Sequence, residues 1–233
     1  MEKSLFGDNC LTLVNLASLG CLLEDKEQDV TALLSSSELQ LFAGYSYAKR
    51  RLEWLGGRIA AKDALARLLG DASSAACRDL SVLPDSHGRP VVSTSLLLQW
   101  RPRLSLSHCK NYAVALACRE EQCGVDIEFC SERLLTVRER FTTDSEMDLF
   151  AEAMPELSRL AILWTVKEAV KKCCFADQPT LFGQTRVCAV REGEGGRWWV
   201  DCCLDHEDRA RIRVQVVRFD RYFLAWVTGG THA

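Results

Sequence analysis

Gly124-Val125-Asp126-Ile127-Glu128 is the stretch on which the reading of this chain turns. Its side chains alternate apolar and acidic, the pattern of a β-strand with one packed face. In a strand, residues i and i+2 share a face. Asp126 and Glu128 therefore point the same way, while Val125 and Ile127 pack inward. Two carboxylates side by side repel unless a cation lies between them. Hard oxygen ligands of this kind select magnesium, with manganese as the alternative.

Downstream, Pro155 opens a helix predicted to run to Cys174. It contains Trp164-Thr165-Val166-Lys167-Glu168-Ala169-Val170-Lys171-Lys172. Trp164, Glu168 and Lys172 follow at i, i+4 and i+8 and so share a face. An acid and a lysine turned to one side can build a metal and phosphate pocket; a solvated helix with an ordinary Glu–Lys pair gives the same pattern. Between strand and helix, Leu134–Arg140 and Thr143–Ala153 look helical. After the helix the chain reads as strands: Arg186–Val190, Arg197–Leu204, Arg211–Phe219 and Tyr222–Thr228. Turns are predicted at Glu192-Gly193-Glu194-Gly195-Gly196 and at Asp220-Arg221.

Upstream, Leu11–Leu23 reads as a strand or strand pair. Ser35-Ser36-Ser37-Glu38 offers a helix start, a Ser cap with an acidic first turn. A long helix is predicted over Ala48–Leu69, stopped by Gly70, with Arg50, Arg51, Arg58, Lys62 and Arg67 along it. Pro84-Asp85-Ser86-His87-Gly88 is a turn. Arg103–Ser107 and Tyr112–Cys118 are predicted strands around His108-Cys109-Lys110-Asn111. A lone His at a strand end is most often structural. The order strand, helix, strand, strand occurs twice. It predicts an α+β fold of two similar halves, residues 1–120 and 121–233. The residue identities themselves show no repeat.

Composition narrows the function. The chain has 233 residues, 48% of them hydrophobic, and a formal net charge of -3, so no basic face for nucleic acid is expected. Any anion must be met by locally clustered Lys and Arg. The twelve cysteines form no C-x-x-C pair, which argues against a zinc site. Reduced, apolar thiols in a reducing, cytoplasmic setting are expected. Near the N-terminus Glu2, Asp8 and Asn15 argue against an export signal. No apolar run is long enough to predict a membrane span.

The Gly-Val-Asp-Ile-Glu strand, followed by Trp-Thr-Val-Lys-Glu-Ala-Val-Lys-Lys, resembles the 4′-phosphopantetheinyl transferase family. Ser105-Leu106-Ser107-His108 and Gly88-Arg89-Pro90 match it upstream. The resemblance is to the long, monomeric, surfactin-type subgroup and covers roughly residues 40–230. It implies two similar α+β halves related by a pseudo-two-fold. It implies that Asp126, Glu128 and Glu168 hold magnesium, and that Lys172 contacts the coenzyme A phosphates. It puts Ser107 and His108 at the nucleotide phosphates and Arg89 at the adenine and phosphate end. Lys167 is implied to steady the acids or to touch phosphate, and Arg51, Arg58 and Lys62 to meet the 3′-phosphate. Cys109 replaces a residue that is commonly polar.

The implied reaction is attack by a carrier-protein serine on the β-phosphorus of coenzyme A, releasing 3′,5′-ADP. Glu168, Glu128, Lys172 and His108 are the expected catalytic residues, with Glu128, Glu168 or a metal-bound water as base. The expected partner is an apo acyl or peptidyl carrier protein, docked on Arg133, Arg138 and Arg140. Nucleic acid and membrane partners are not expected. The rivals are a non-catalytic coenzyme A or carrier-binding relative and a metal-dependent nuclease. The latter would want a lysine where Cys130 stands.

Overall fold

The computed structural model describes residues 10–70, 74–94, 101–119, 121–175, 182–204 and 210–229. The chain divides into two compact units between Glu121 and Gln122.

The first unit contains β1 (Cys10–Asn15), α1 (Leu16–Thr31), α2 (Ser36–Ala43), α3 (Ala48–Leu69), α4 (Ser74–Asp79), β2 (Leu80–Pro84), β3 (Pro90–Thr94), β4 (Arg103–Cys109) and β5 (Tyr112–Cys118). An antiparallel sheet in the order β1-β5-β4 carries α3 on one face, and β2 and β3 form a separate hairpin. α3 occupies the predicted range and ends at Gly70, whose φ of 75° only glycine adopts readily. Its Ala60, Ala61, Ala64 and Leu65 are fully buried with Leu80, Val82 and Ala115. The expected strand over Leu11–Leu23 is shorter than predicted. Asn15 accepts a hydrogen bond from the Ser18 amide, so the chain turns from β1 into a helix there.

The second unit contains β6 (Cys123–Phe129), α5 (Arg133–Thr136), α6 (Asp144–Met147), α7 (Glu156–Cys174), β7 (Thr185–Gly193), β8 (Arg197–Leu204), β9 (Arg211–Phe219) and β10 (Tyr222–Thr228). Its antiparallel sheet runs β6-β10-β9-β8-β7. The helices expected over Leu134–Arg140 and Thr143–Ala153 are only single turns, α5, a 3-10 turn at Arg138–Arg140, and α6. All four predicted C-terminal strands form, joined by turns at the predicted places, with β7 starting at Thr185 and extending to Gly193.

α7 lies on β6 and β10 at short range. A Cβ added to Gly124 would stand 1.9 Å from the Ala169 carbonyl oxygen. Helix and strand therefore touch backbone to backbone at this glycine. Phe223, Ala225 and Val227 of β10, paired with Glu128, Asp126 and Gly124, complete the face under the helix. The opposite face of β6 is also covered, with Val125 0% and Ile127 2% exposed.

The expectation of reduced thiols throughout needs correction. Cys188 and Cys203 form a disulfide across β7 and β8. The register slips between Val187 and Ala189, and Cys188 is the extra residue of that bulge. Among the described residues, the other ten cysteines are outside this disulfide.

Gly124→Ala should force α7 off β6. A loss of about 1–3 kcal/mol, the scale of core overpacking, is expected in urea denaturation.

Candidate functional site

The close approach at Gly124 puts two acids of a strand under a helix that carries a third. Asp126 is 6% exposed. Its Oδ1 takes a 2.8 Å contact from the Lys172 ammonium, which also donates to the Val125 carbonyl oxygen at 3.0 Å. Glu128 is half-buried at the end of the same strand face, and one of its oxygens accepts the Phe129 amide. Glu168 is half-buried on α7, one turn before Lys172, and lies 3.4 Å from the Lys171 ammonium. The helix and strand thus bring Asp126 and Lys172 together as an ion pair.

Among the described residues, no three His, Cys, Asp or Glu side chains converge closely enough to hold a metal ion. The chemistry of Asp126, Glu128 and Glu168 still fits a hard divalent cation. All three offer carboxylate oxygens, from one strand face and from the helix packed on it. Asp126 and Glu168 are each beside a lysine ammonium here. Trp164, on the same side of α7, lies in an aromatic cluster with Phe141 and Phe182, with the Arg133 guanidinium 5.6 Å from its ring centre.

Two lysines of the expected binding set are buried in ion pairs within their own units. Lys167 is 4% exposed, and its ammonium lies 2.7 Å from Glu146, itself 1% exposed. Lys62 is 2% exposed, and its ammonium meets Glu38 at 2.7 Å and the carbonyl oxygens of Cys77 and Leu80. Three acceptors use its three donors, so Lys62 has none left for a phosphate. A lysine in the middle of a helix that faces its own unit's core must find a carboxylate there, and each of these does.

The other first-unit candidates have contacts of their own. Arg51 pairs with Glu27 at 2.9 Å and lies over the Phe42 ring. Arg58 is buried, with its guanidinium 4.6 Å from the Trp54 ring centre. Burial pushes its pKa down, and its Nε has no hydrogen-bond partner. Arg89 pairs with Asp85 inside the β2–β3 turn at 2.9 Å. His108 is exposed, with Nδ1 3.9 Å from Glu53 of α3. Ser107 is half-buried beside it in β4.

Residues 122–227 match the model of the 4′-phosphopantetheinyl transferase superfamily. Residues 40–118 match the 4′-phosphopantetheinyl transferase N-terminal domain. The holo-[acyl-carrier-protein] synthase of Halalkalibacterium halodurans is 36% identical over 107 residues, covering 45% of this chain and 87% of that protein. The chain belongs to the 4′-phosphopantetheinyl transferase superfamily. A second such synthase, from Streptococcus agalactiae, is 34% identical over 100 residues, 42% of this chain and 83% of the relative. A crystal structure of the Bacillus anthracis synthase with CoA (3′,5′-ADP) overlaps 47% of this chain and 93% of its own, at 26% identity and a TM-score of 0.41. β6 with Asp126 and Glu128, and α7 with Glu168 and Lys172, both fall within the matched residues 122–227.

Lys62→Met should leave Glu38 as a lone buried carboxylate. A cost of about 3–5 kcal/mol is expected in equilibrium denaturation, as for other buried pairs stripped of one partner.

Proposed function

We propose that this chain transfers the 4′-phosphopantetheine group of coenzyme A to a serine of an apo acyl or peptidyl carrier protein, releasing 3′,5′-ADP. The observation that carries the reading is the joining of Asp126 on β6 to Lys172 on α7, with Glu128 and Glu168 on the same two elements. Family membership supports it.

Asp126, Glu128 and Glu168 would hold magnesium. When bound, the ion neutralises the diphosphate oxygens and so favours departure of the nucleotide. Every other contribution comes from the chain's own side chains. Lys172 has a flexible stem and is 28% exposed at its side chain. Its ammonium can leave Asp126 for a diphosphate oxygen where negative charge develops. Glu128 or Glu168 takes the proton of the carrier serine as its oxygen attacks the β-phosphorus. Ser107 and the exposed His108 meet the nucleotide phosphates. Arg51, Arg58 and Arg89 supply positive charge for the remaining phosphate. Lys62 and Lys167 are excluded from that task by their buried partners.

The carrier partner is proposed to dock on the segment after β6. Arg133 and Arg140 are exposed there. Arg138 is engaged by Asp144 and Glu156, at 3.2 and 2.8 Å. We further assign the chain to the surfactin-type, monomeric subgroup, with the two units as its two domains, because one chain carries both matched models in tandem. Coenzyme A as substrate favours a cytoplasmic location. Among the described residues, no helix is long and apolar enough to cross a membrane.

The test is a panel of apo-carrier proteins incubated with coenzyme A and magnesium and read by intact mass. A gain of one phosphopantetheine on at least one carrier is expected. Carriers left unmodified, although another transferase loads them, would mark a non-catalytic relative. Glu168→Ala should lower the transfer rate at least about 100-fold, the scale of losing a group that stabilises the transition state. Arg133→Glu should raise the KM for the carrier with little change in kcat; an unchanged KM rejects the docking surface.

A further inference from the structure

The same buried clamp occurs once in each unit. In the first unit, Ser35 caps α2 and Glu38 closes the capping box. The Glu38 carboxylate accepts the Ser35 amide at 2.8 Å and the Val82 amide of β2 at 2.9 Å, and pairs with Lys62 of α3. In the second unit, Thr143 caps α6 and Glu146 closes the box. The Glu146 carboxylate accepts the Thr143 amide at 3.0 Å and the Val187 amide of β7 at 2.9 Å, and pairs with Lys167 of α7. In both, one carboxylate ties a cap, a long helix and a strand together. In both, the residue after the clamped lysine is an acid, Asp63 or Glu168.

The strand registers extend the correspondence. Thr12 of β1 is paired with Ala115 of β5, and Asp126 of β6 with Ala225 of β10. Thr12 donates to Asp63 at 2.7 Å, and Asp63 also takes Arg67 at 2.7 Å. Val14, opposite Ala113, stands where Glu128 stands opposite Phe223. The first unit thus keeps the framework, but two of the three acids are replaced by Thr12 and Val14.

We propose that Glu146 and Lys167 are positioning residues that set the rotation of α7, and through it the placement of Glu168 and Lys172 against Asp126. This rests on the transferase reading above. Adjacent helix positions differ by about 100°, so Lys167 and Ala169 lie on nearly opposite sides of α7. Ala169 is held against Gly124 of β6. Lys167 is held from the other side by Glu146, which is fixed to β7 and to the α6 cap. With both sides fixed, α7 cannot roll, and Glu168 projects at a set angle between the two anchors. Neither member of the pair has to touch substrate for this.

The first unit supplies an internal control, since Glu38 does the same mechanical work beside an acid that the reaction does not use. The full chain is assayed for transfer across a magnesium series, with thermal melts of each variant. Glu146→Gln and Glu38→Gln should both lower the melting temperature. Only Glu146→Gln should reduce kcat, at least about 10-fold on the scale of a displaced catalytic group, and raise the magnesium needed for half-maximal rate. Carrier KM should stay within about twofold of wild type. If Glu146→Gln fails to fold, the double variant Glu146→Gln with Lys167→Met replaces the ion pair by a neutral pair of similar volume. It should fold and still lose kcat. Wild-type kcat in a folded clamp variant overturns the proposal, as does an equal kcat loss in Glu38→Gln. Absence of transfer by the wild-type chain would instead overturn the transferase reading.

Discussion

The second unit depends on how near a helix can come to an edge strand. Gly124 has no side chain, and the Ala169 carbonyl fills the space a Cβ would take. That closeness lets the Lys172 side chain, on a helix, reach a carboxylate and a carbonyl on neighbouring residues of β6. Further apart, the nearly buried Asp126 carboxylate would lose the Lys172 ammonium, and removing one partner of a buried ion pair is destabilising. The ion pair is thus a consequence of backbone packing, and the site's charges are placed by core geometry.

Repetition of the clamp separates framework from chemistry. Both units carry a buried glutamate, a helix lysine and a strand amide in matching places, whereas Thr12 and Val14 of one unit stand at the register positions that Asp126 and Glu128 hold in the other. A buried ion pair of this kind tolerates little change, because removing either member strands the other in a low-dielectric interior.

Much of the fold could be read from the sequence. The bounds of α3 followed from its leucine spacing and Gly70, and β6 from its alternation. The mistaken parts have physical causes. Leu11–Leu23 is mostly apolar, and periodicity alone cannot separate a strand from a short helix there. Asn15, which looked like an interruption, is the cap that starts α1. The ion pairs of Lys62 and Lys167 were not legible, because a sequence shows a charge and not its burial. A signal did exist: Ser35-x-x-Glu38 and Thr143-x-x-Glu146 are both capping boxes, and a glutamate spent on a cap is well placed to be buried. Which lysine each would meet depends on tertiary packing, and no local spacing encodes it. The acids of the site were legible as residue types. That Lys172 sits on Asp126 was not, because the approach of α7 to β6 is a long-range contact.

On the reading proposed above, β6 and α7 present three acids to one cation while Lys172 turns to the diphosphate. A crystal structure of the chain with coenzyme A and magnesium tests it directly. One ion should be bound by Asp126, Glu128 and Glu168, with the Lys172 ammonium moved from Asp126 to a phosphate oxygen. An ion bound elsewhere, or coenzyme A seated while Lys172 still holds Asp126, would contradict it.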